Sequence, residues 1–188
     1  MERIQKPKIR NYKISFKLEH FDNNLLGLRD NNLLGLRGVS VKKYHNFLVA
    51  RSEKKIVYTI FNTSGFVNAT GIKTKEECEE AKLFLTERLQ CRAGIFKIDN
   101  ICASGNFGRE IDLLSVKKTF LKLKHCFTFN PDQFAGASLK LHTTPGCMII
   151  FSTGSFSILG VREEKDIENL YQQVETELIR SNYGFMHP

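Results

Sequence analysis

The 188-residue chain has no Trp, only 4 Pro and only 3 Met. Its 5 Cys are an odd number, and no two of them form a C-x-x-C pair. This pattern excludes a disulfide framework and a structural zinc site as organising devices, and it fits a reducing compartment. Long apolar runs are also missing. The longest strongly apolar run, Cys147 to Phe151, is far too short to cross a bilayer, so no membrane partner is expected. The opening MERIQKPKIR has no apolar stretch and does not read as a secretory leader. Nor does a carboxylate cluster, a Cys/His dyad or a phosphate loop stand out. His20, His45, His125, His142 and His187 are scattered. No enzymatic activity, no metal and no cofactor is expected from such a set.

Acidic residues are the scarcer charge, 20 against 28 Lys and Arg, for a net charge of +8 and a pI near 9.3. A basic balance favours a polyanionic partner such as nucleic acid. Hydrophobic residues make up 41% of the chain, enough for a folded core. The aromatic choice is lopsided, with 15 Phe, so that some rings are available to a surface.

Two segments have helical periodicity. In TKEECEEAKLFLTERLQC, Thr74 and Glu77 form a capping box ahead of Ala81, Phe84, Leu85 and Leu89. In EEKDIENLYQQVETELIR the apolar positions are Ile167, Leu170, Tyr171, Val174 and Leu178. Both open with acidic turns, which suits the helix dipole. Each helix follows a strand–turn–strand phrase, IFNTSGFVNATGIK and IFSTGSFSILGVR. Gly154 lies 89 residues after Gly65, and the same offset relates Gly160 to Gly71, Asn100 to Asn11, Lys140 to Arg51 and Ile149 to Ile60. A period this long implies two copies of one supersecondary unit rather than a solenoid. The copies are expected over residues 1–94 and 95–188.

The octapeptide DNNLLGLR occurs twice in succession between Asp22 and Arg37. It occupies the place that IDLLSVKKTFLKLKHCFTF holds in the second copy. Leu25, Leu28, Leu33 and Leu36 fall roughly on one helical face, while Gly27 and Gly35 would each cost about 1 kcal/mol inside a helix. Two short helical turns, each opened by Asp-Asn and closed near Gly, are expected there.

The order KIDNICAS, FNPDQFAGASLKL, MIIFSTGSFSILGVREEKDI, with SGFVNATGIKTKEE in the first copy, resembles the core of the TATA-box-binding protein family over about residues 8–183. The resemblance implies an α+β fold: two pseudo-repeats forming a curved antiparallel saddle, ten strands in all, with four main helices on the convex face. It also implies a transcription initiation factor whose partners are A/T-rich duplex DNA, bound and bent through the minor groove, and initiation factors such as transcription factor IIB. The location implied is the nucleus, or a viral factory or host nucleus if the source is viral. The alternative is a saddle-shaped scaffold that recruits transcription proteins without strong TATA binding. Saddle domains also occur attached to nucleases and glycosylases, but no catalytic domain is expected here.

Carried over by position, the resemblance makes Phe134 and Phe151 the ring pair that wedges between base steps. Asn100 becomes a donor to base acceptors, Lys140 a phosphate contact, and Ile149 and Leu159 part of the concave face. In the first copy it implicates Asn11, Arg51 and Thr70, with Ile60 matching Ile149. At constant offset, polar His45 and Asn62 oppose Phe134 and Phe151. A one-residue slip would substitute Tyr44 and Phe61, but would turn each side chain to the other sheet face. The gap-free register is therefore expected, and with it a first copy lacking rings to insert. Other departures are Asp132-Gln133 and Ala135 where the family has Glu-Leu and Pro, Phe66 and Ser155 where it has Lys, and Lys13 in place of an apolar residue. The Asp132 segment is where the family holds transcription factor IIB.

Overall fold

The computed structural model describes residues 4–19 and 39–180. The duplicated octapeptide, His20 and His187 lie outside the described residues. The chain forms an α+β fold of two compact units. One comprises Asn11–Asp99; the other runs from Asn100 onward together with the described residues up to Arg10.

In the first unit, β1 (Gln5–Glu19) contributes its residues from Asn11 onward, and β2 (Val39–Lys43), β3 (Phe47–Ser52), β4 (Val57–Phe61) and β5 (Phe66–Ile72) follow. They form an antiparallel sheet in the order β2-β3-β4-β5-β1. Helix α1 (Glu76–Leu89) follows, then β6 (Arg92–Ala93), which pairs with the end of β1. Thr74 Oγ1 accepts the Glu77 N–H at 3.2 Å, as the sequence predicts, while the Glu77 carboxylate accepts the N–H of Lys73 at 2.8 Å, one residue before the Thr74 N–H of a full capping box. Burial alternates strictly along β3 and β4, where Leu48, Ala50, Tyr58 and Ile60 are buried; Val67 and Ala69 on β5 and Cys78, Ala81 and Leu85 on α1 are buried too. Tyr58 Oη donates to the Ala81 carbonyl at 3.1 Å, so the buried phenol is satisfied.

The second unit repeats this plan with β7 (Lys97–Asn106) from Asn100 onward, α2 (Leu113–Lys122), β8 (Cys126–Thr128), β9 (Gly136–Lys140), β10 (Cys147–Phe151), β11 (Ser155–Val161) and α3 (Glu164–Arg180). Its strand order is β7-β11-β10-β9-β8. All five residues expected on the inner face of α3, from Ile167 to Leu178, are buried. Tyr171 stacks on Phe107 with ring centroids 5.6 Å apart. Full burial of each such side chain contributes about 1.5–3 kcal/mol. Asp112 caps α2 by accepting the N–H groups of Leu114 and Ser115.

Eleven strands and three helices are present among the described residues. The strand beyond the expected ten is the two-residue β6. The expected fourth helix belongs to residues 22–37, outside the described part. Among the described residues no helix is long and apolar enough to cross a membrane.

Candidate nucleic-acid interface

Because side chains alternate along a strand, each sheet has a second face turned away from its helix. In the second unit that face carries Asn100, Ser104, Ser157, Ile149, Ser138, Leu159, Lys140 and Phe151, all half-buried or exposed. In the first unit it carries Asn11, Asn68, Thr70, Thr59, Val49, Arg51, Phe47 and Phe61. Arg51 and Lys140 are both exposed and occupy equivalent places on β3 and β9.

The two asparagines are held alike. Asn11 Oδ1 accepts the Gly71 N–H at 2.6 Å, and Asn100 Oδ1 accepts the Gly160 N–H at 2.7 Å. Gly71 and Gly160 have φ of 92° and 79°, a left-handed conformation in which a side chain would be strained. There the strand kinks, and its N–H leaves the ladder to meet the side chain. With the oxygen fixed, the amide nitrogen's orientation is fixed too. Asn11 Nδ2 donates one hydrogen to Thr70 Oγ1 at 3.1 Å, and Asn100 Nδ2 donates one to Cys102 Sγ at 3.2 Å. Each amide retains a second N–H.

Phe134 is presented by a turn in which the Asn130 carbonyl accepts the N–H groups of Gln133 and Phe134. The ring is 54% exposed and meets Phe151 edge-on at 5.8 Å. Gly136 makes this possible. A Cβ there would come within 2.6 Å of the Phe134 ring and 3.0 Å of Phe151.

The gap-free register fails at β4. Ile60, expected on the open face to match Ile149, is fully buried, on the same side of β4 as Tyr58. β4 and β10 have the same alternation, with Tyr58 and Ile60 buried in one and Met148 and Ile150 in the other. Thr59 therefore matches Ile149, and Phe61 matches Phe151, at an offset of 90 residues. On β3 and β5 the offset stays at 89, as Arg51 with Lys140 and Gly65 with Gly154 require. The slip is compensated in the flanking loops. Five residues separate Arg51 from its partner Val57, whereas six separate Lys140 from Cys147. In the next hairpin the Gly65 N–H returns to the carbonyl of Phe61, four residues back, whereas the Gly154 N–H returns to Phe151, three back. One residue lost before the strand is regained after it, and β4 keeps its apolar side on the helix.

The first unit thus has rings on its open face. Phe47 pairs with Phe61 as Gly136 pairs with Phe151. Where Gly136 has no side chain Phe47 has a ring, 6.2 Å from that of Phe61, and Tyr44 stacks on it at 4.7 Å. Tyr44 is 49% exposed. His45 instead turns its Nδ1 to Asn46 Oδ1, 2.6 Å away, and Asn62 Nδ2 donates to the His45 carbonyl at 3.4 Å. Both polar residues serve the turn. Phe47 and Thr59 were not among the site residues expected from sequence, and Phe61 entered only through the one-residue slip that the gap-free register set aside. The signal for them was the match of VYTIF to CMIIF, visible only if the offset is allowed to change within the unit.

A family model described as transcription factor TFIID (or TATA-binding protein, TBP) matches residues 95–180. The chain is 32% identical to the TATA-box-binding protein of Methanocaldococcus jannaschii over 139 residues, 68% of this chain and 70% of that protein. It is 29% identical to the TATA-box-binding protein of Pyrococcus abyssi over 140 residues, 71% of this chain and 70% of that protein. The solved structure of Methanococcus jannaschii TBP shares the fold, with a TM-score of 0.73 at 24% identity over 93% of this chain and 99% of that one. The chain belongs to the TATA-box-binding protein family and is a transcription factor of that kind.

Proposed function

We propose that this factor binds A/T-rich duplex DNA through the minor groove and bends it, using the open sheet faces of two repeats, residues 1–94 and 95–188. The observation that carries this reading is the repeated Asn–Gly lock. It holds one amide donor per unit on a face otherwise made of small polar, aliphatic and aromatic side chains. The minor groove of an A·T pair offers only acceptors, so a fixed N–H donor suits it, while apolar neighbours suit a groove without the guanine amino group. Arg51 and Lys140 supply phosphate contacts, which position the protein without reading sequence. Thr70, Ile149 and Leu159 line the groove beside the two asparagines, with Thr59 rather than Ile60 as the first-unit counterpart of Ile149.

Ring insertion drives bending in this reading. Phe134 with Phe151, and Tyr44 with Phe47 and Phe61, enter base steps in turn. Unstacking costs a few kcal/mol per step, which the added contact with bent DNA offsets. TA steps unstack most readily and so favour such sites. The open-face position of Phe61 removes the main reason for reading the chain as a scaffold that cannot kink DNA. Initiation factors of the transcription factor IIB type are the protein partners this function implies, and the Asp132-Gln133 turn is where such a contact would fall. A nuclear location follows for a factor of this kind in a nucleated cell.

A mobility shift with A/T-rich and scrambled duplexes at two salt concentrations tests the reading. Expected is preferential binding to the A/T-rich duplex that weakens steeply with salt. Equal binding to both duplexes, or binding displaced only by major-groove ligands, would overturn it.

A further inference from the structure

One row of the second unit's open face differs in chemistry from its first-unit counterpart. β8 sets Cys126 directly opposite Lys140. Cys147 follows on β10, one step beyond the Met148–Leu139 pair, and itself pairs with Leu159. Cys102 lies on β7 opposite the bulge between Ile158 and Val161. Three thiols and one ammonium group therefore share the row. The first unit has Ser40, Arg51, Val57 and Thr70 across the equivalent strands, with no sulfur.

The cysteines of the described residues are all free. Cys126 and Cys147 flank Lys140 from either side, about 10 Å apart at two strand spacings. Cysteines that far apart cannot be joined without moving backbone. A disulfide formed at either thiol without moving backbone therefore takes its second sulfur from outside the pair. Cys126 is exposed on the edge strand, and Cys147 Sγ lies 3.1 Å from Ser138 Oγ. The Lys140 side chain beside both attracts an anionic reagent.

We propose that the thiols flanking Lys140, Cys126 first and Cys147 second, are a modification site for an anionic low-molecular-weight disulfide such as glutathione disulfide, and that the resulting mixed disulfide closes this face to DNA. The proposal rests on the DNA-binding reading above. In the step itself the cysteine thiolate attacks one sulfur of the reagent. The reagent's S–S bond breaks as the protein–glutathione S–S bond forms, and the second glutathione leaves as a thiolate that takes up the proton the cysteine lost. The reagent is the oxidant, so no other is needed. The adduct sets a bulky anion beside Lys140, where a phosphate would bind. The remaining cysteines are less suited: Cys78 is fully buried, burial pushes the Cys91 thiol up, and Cys102 on β7 lies three strands away from Lys140 on β9.

The test treats the full reduced chain with glutathione disulfide and maps adducts by peptide mass. Binding to an A/T-rich duplex is measured before treatment, after it, and after dithiothreitol. Expected are adducts at Cys126 and Cys147, about tenfold weaker binding, recovery on reduction, and protection of both thiols by prior duplex binding. The Cys126→Ser/Cys147→Ser variant should bind equally well before and after treatment. Adducts confined to other cysteines, or adducts at these two with binding unchanged, overturn the proposal. If the untreated protein fails to prefer the A/T-rich duplex, it is the DNA-binding reading that fails, and the control role falls with it even where the adducts map as expected.

Discussion

The side-chain oxygen of Asn100 accepts the backbone N–H of Gly160, 60 residues downstream, at 2.7 Å. Asn11 and Gly71 repeat the bond with the same separation. The oxygen is held by the backbone, while the nitrogen keeps one N–H beyond its internal bond, so that the proposed recognition role can be separated from the structural one by substitution. Asn100→Asp keeps an acceptor for Gly160 but removes the N–H donors and adds negative charge. Its thermal midpoint should stay close to the parent's, while affinity for an A/T-rich duplex falls by about 1–3 kcal/mol or more. Asn100→Ala loses the internal bond as well and should cost about 1 kcal/mol of stability. Denaturant titration and duplex affinity, measured on both variants, separate these effects. If the Asp variant binds like the parent, the amide nitrogen is not a contact.

Arg51 and Lys140 are exposed cations at equivalent positions on the two open faces. Each phosphate neutralised contributes about −0.9 to the slope of log K against log salt. Arg51→Ala and Lys140→Ala should each reduce the slope magnitude by about 1 and weaken binding to all duplexes alike. Titrations at several salt concentrations measure this directly. An unchanged slope in either variant would place that residue outside the phosphate contacts.

Asp112 accepts a side-chain hydrogen bond from Ser115 and backbone N–H bonds from Ser115 and Leu114. These bonds, with the Ser115 hydroxyl first, hold its carboxyl below the usual carboxylate range. A depressed folded-state pKa means that the cap's contribution is complete above the unfolded value, near 3.9, and is lost as pH falls through the folded value. Asp112→Ala should therefore destabilise the protein by about 1 kcal/mol at neutral pH. The difference between parent and variant should shrink as pH falls below the unfolded value near 4 and on through the lower folded value, where the parent's cap takes up its proton. Paired urea titrations across that range provide the check. A difference that grows on acidification would contradict the linkage.

Much of the fold was legible because α1, α3 and the glycine-containing hairpins each leave a local mark. Ile167 through Leu178 recur at helical spacing, and Gly65 and Gly154 mark turns where the chain must take a left-handed conformation, with φ of 66° and 81°. Asn11 and Asn100 were legible for the same reason, since each is tied to a glycine that the sequence repeats. The strand in between was not. Its register depends on loop lengths, and two loops changed in opposite senses, so that the anchors on both sides still agreed with a single offset. Ile60 and Phe61 are both apolar, and neither alone says which faces the helix. The strict alternation of Tyr58 and Ile60 against α1 decides it. Phe47 was overlooked for a related reason: its counterpart is Gly136, so no motif points to a ring there.

The displaced register of β4 leads to the sharpest expectation. Ile60 is fully buried and Phe61 half-buried on the opposite face, adjacent in sequence and opposite in role. Ile60→Ala should open a cavity in the core of the first unit and cost about 2–5 kcal/mol of stability. Phe61→Ala removes a ring whose aromatic neighbour is Phe47, and should cost only about 1 kcal/mol. In DNA bending the order reverses. Tyr44→Ala with Phe61→Ala removes two of the three rings available for insertion in the first unit, and Phe134→Ala with Phe151→Ala removes the corresponding pair in the second. Each double variant should lose one of two kinks and roughly half of the bend, while Ile60→Ala, measured where it remains folded, should bend DNA as the parent does. Energy transfer between dyes at the two ends of a short duplex reads the angle. If the Tyr44/Phe61 variant stays folded and bends DNA fully while the Phe134/Phe151 variant abolishes bending, then only the second unit inserts rings, and Tyr44, Phe47 and Phe61 serve some other contact on that face.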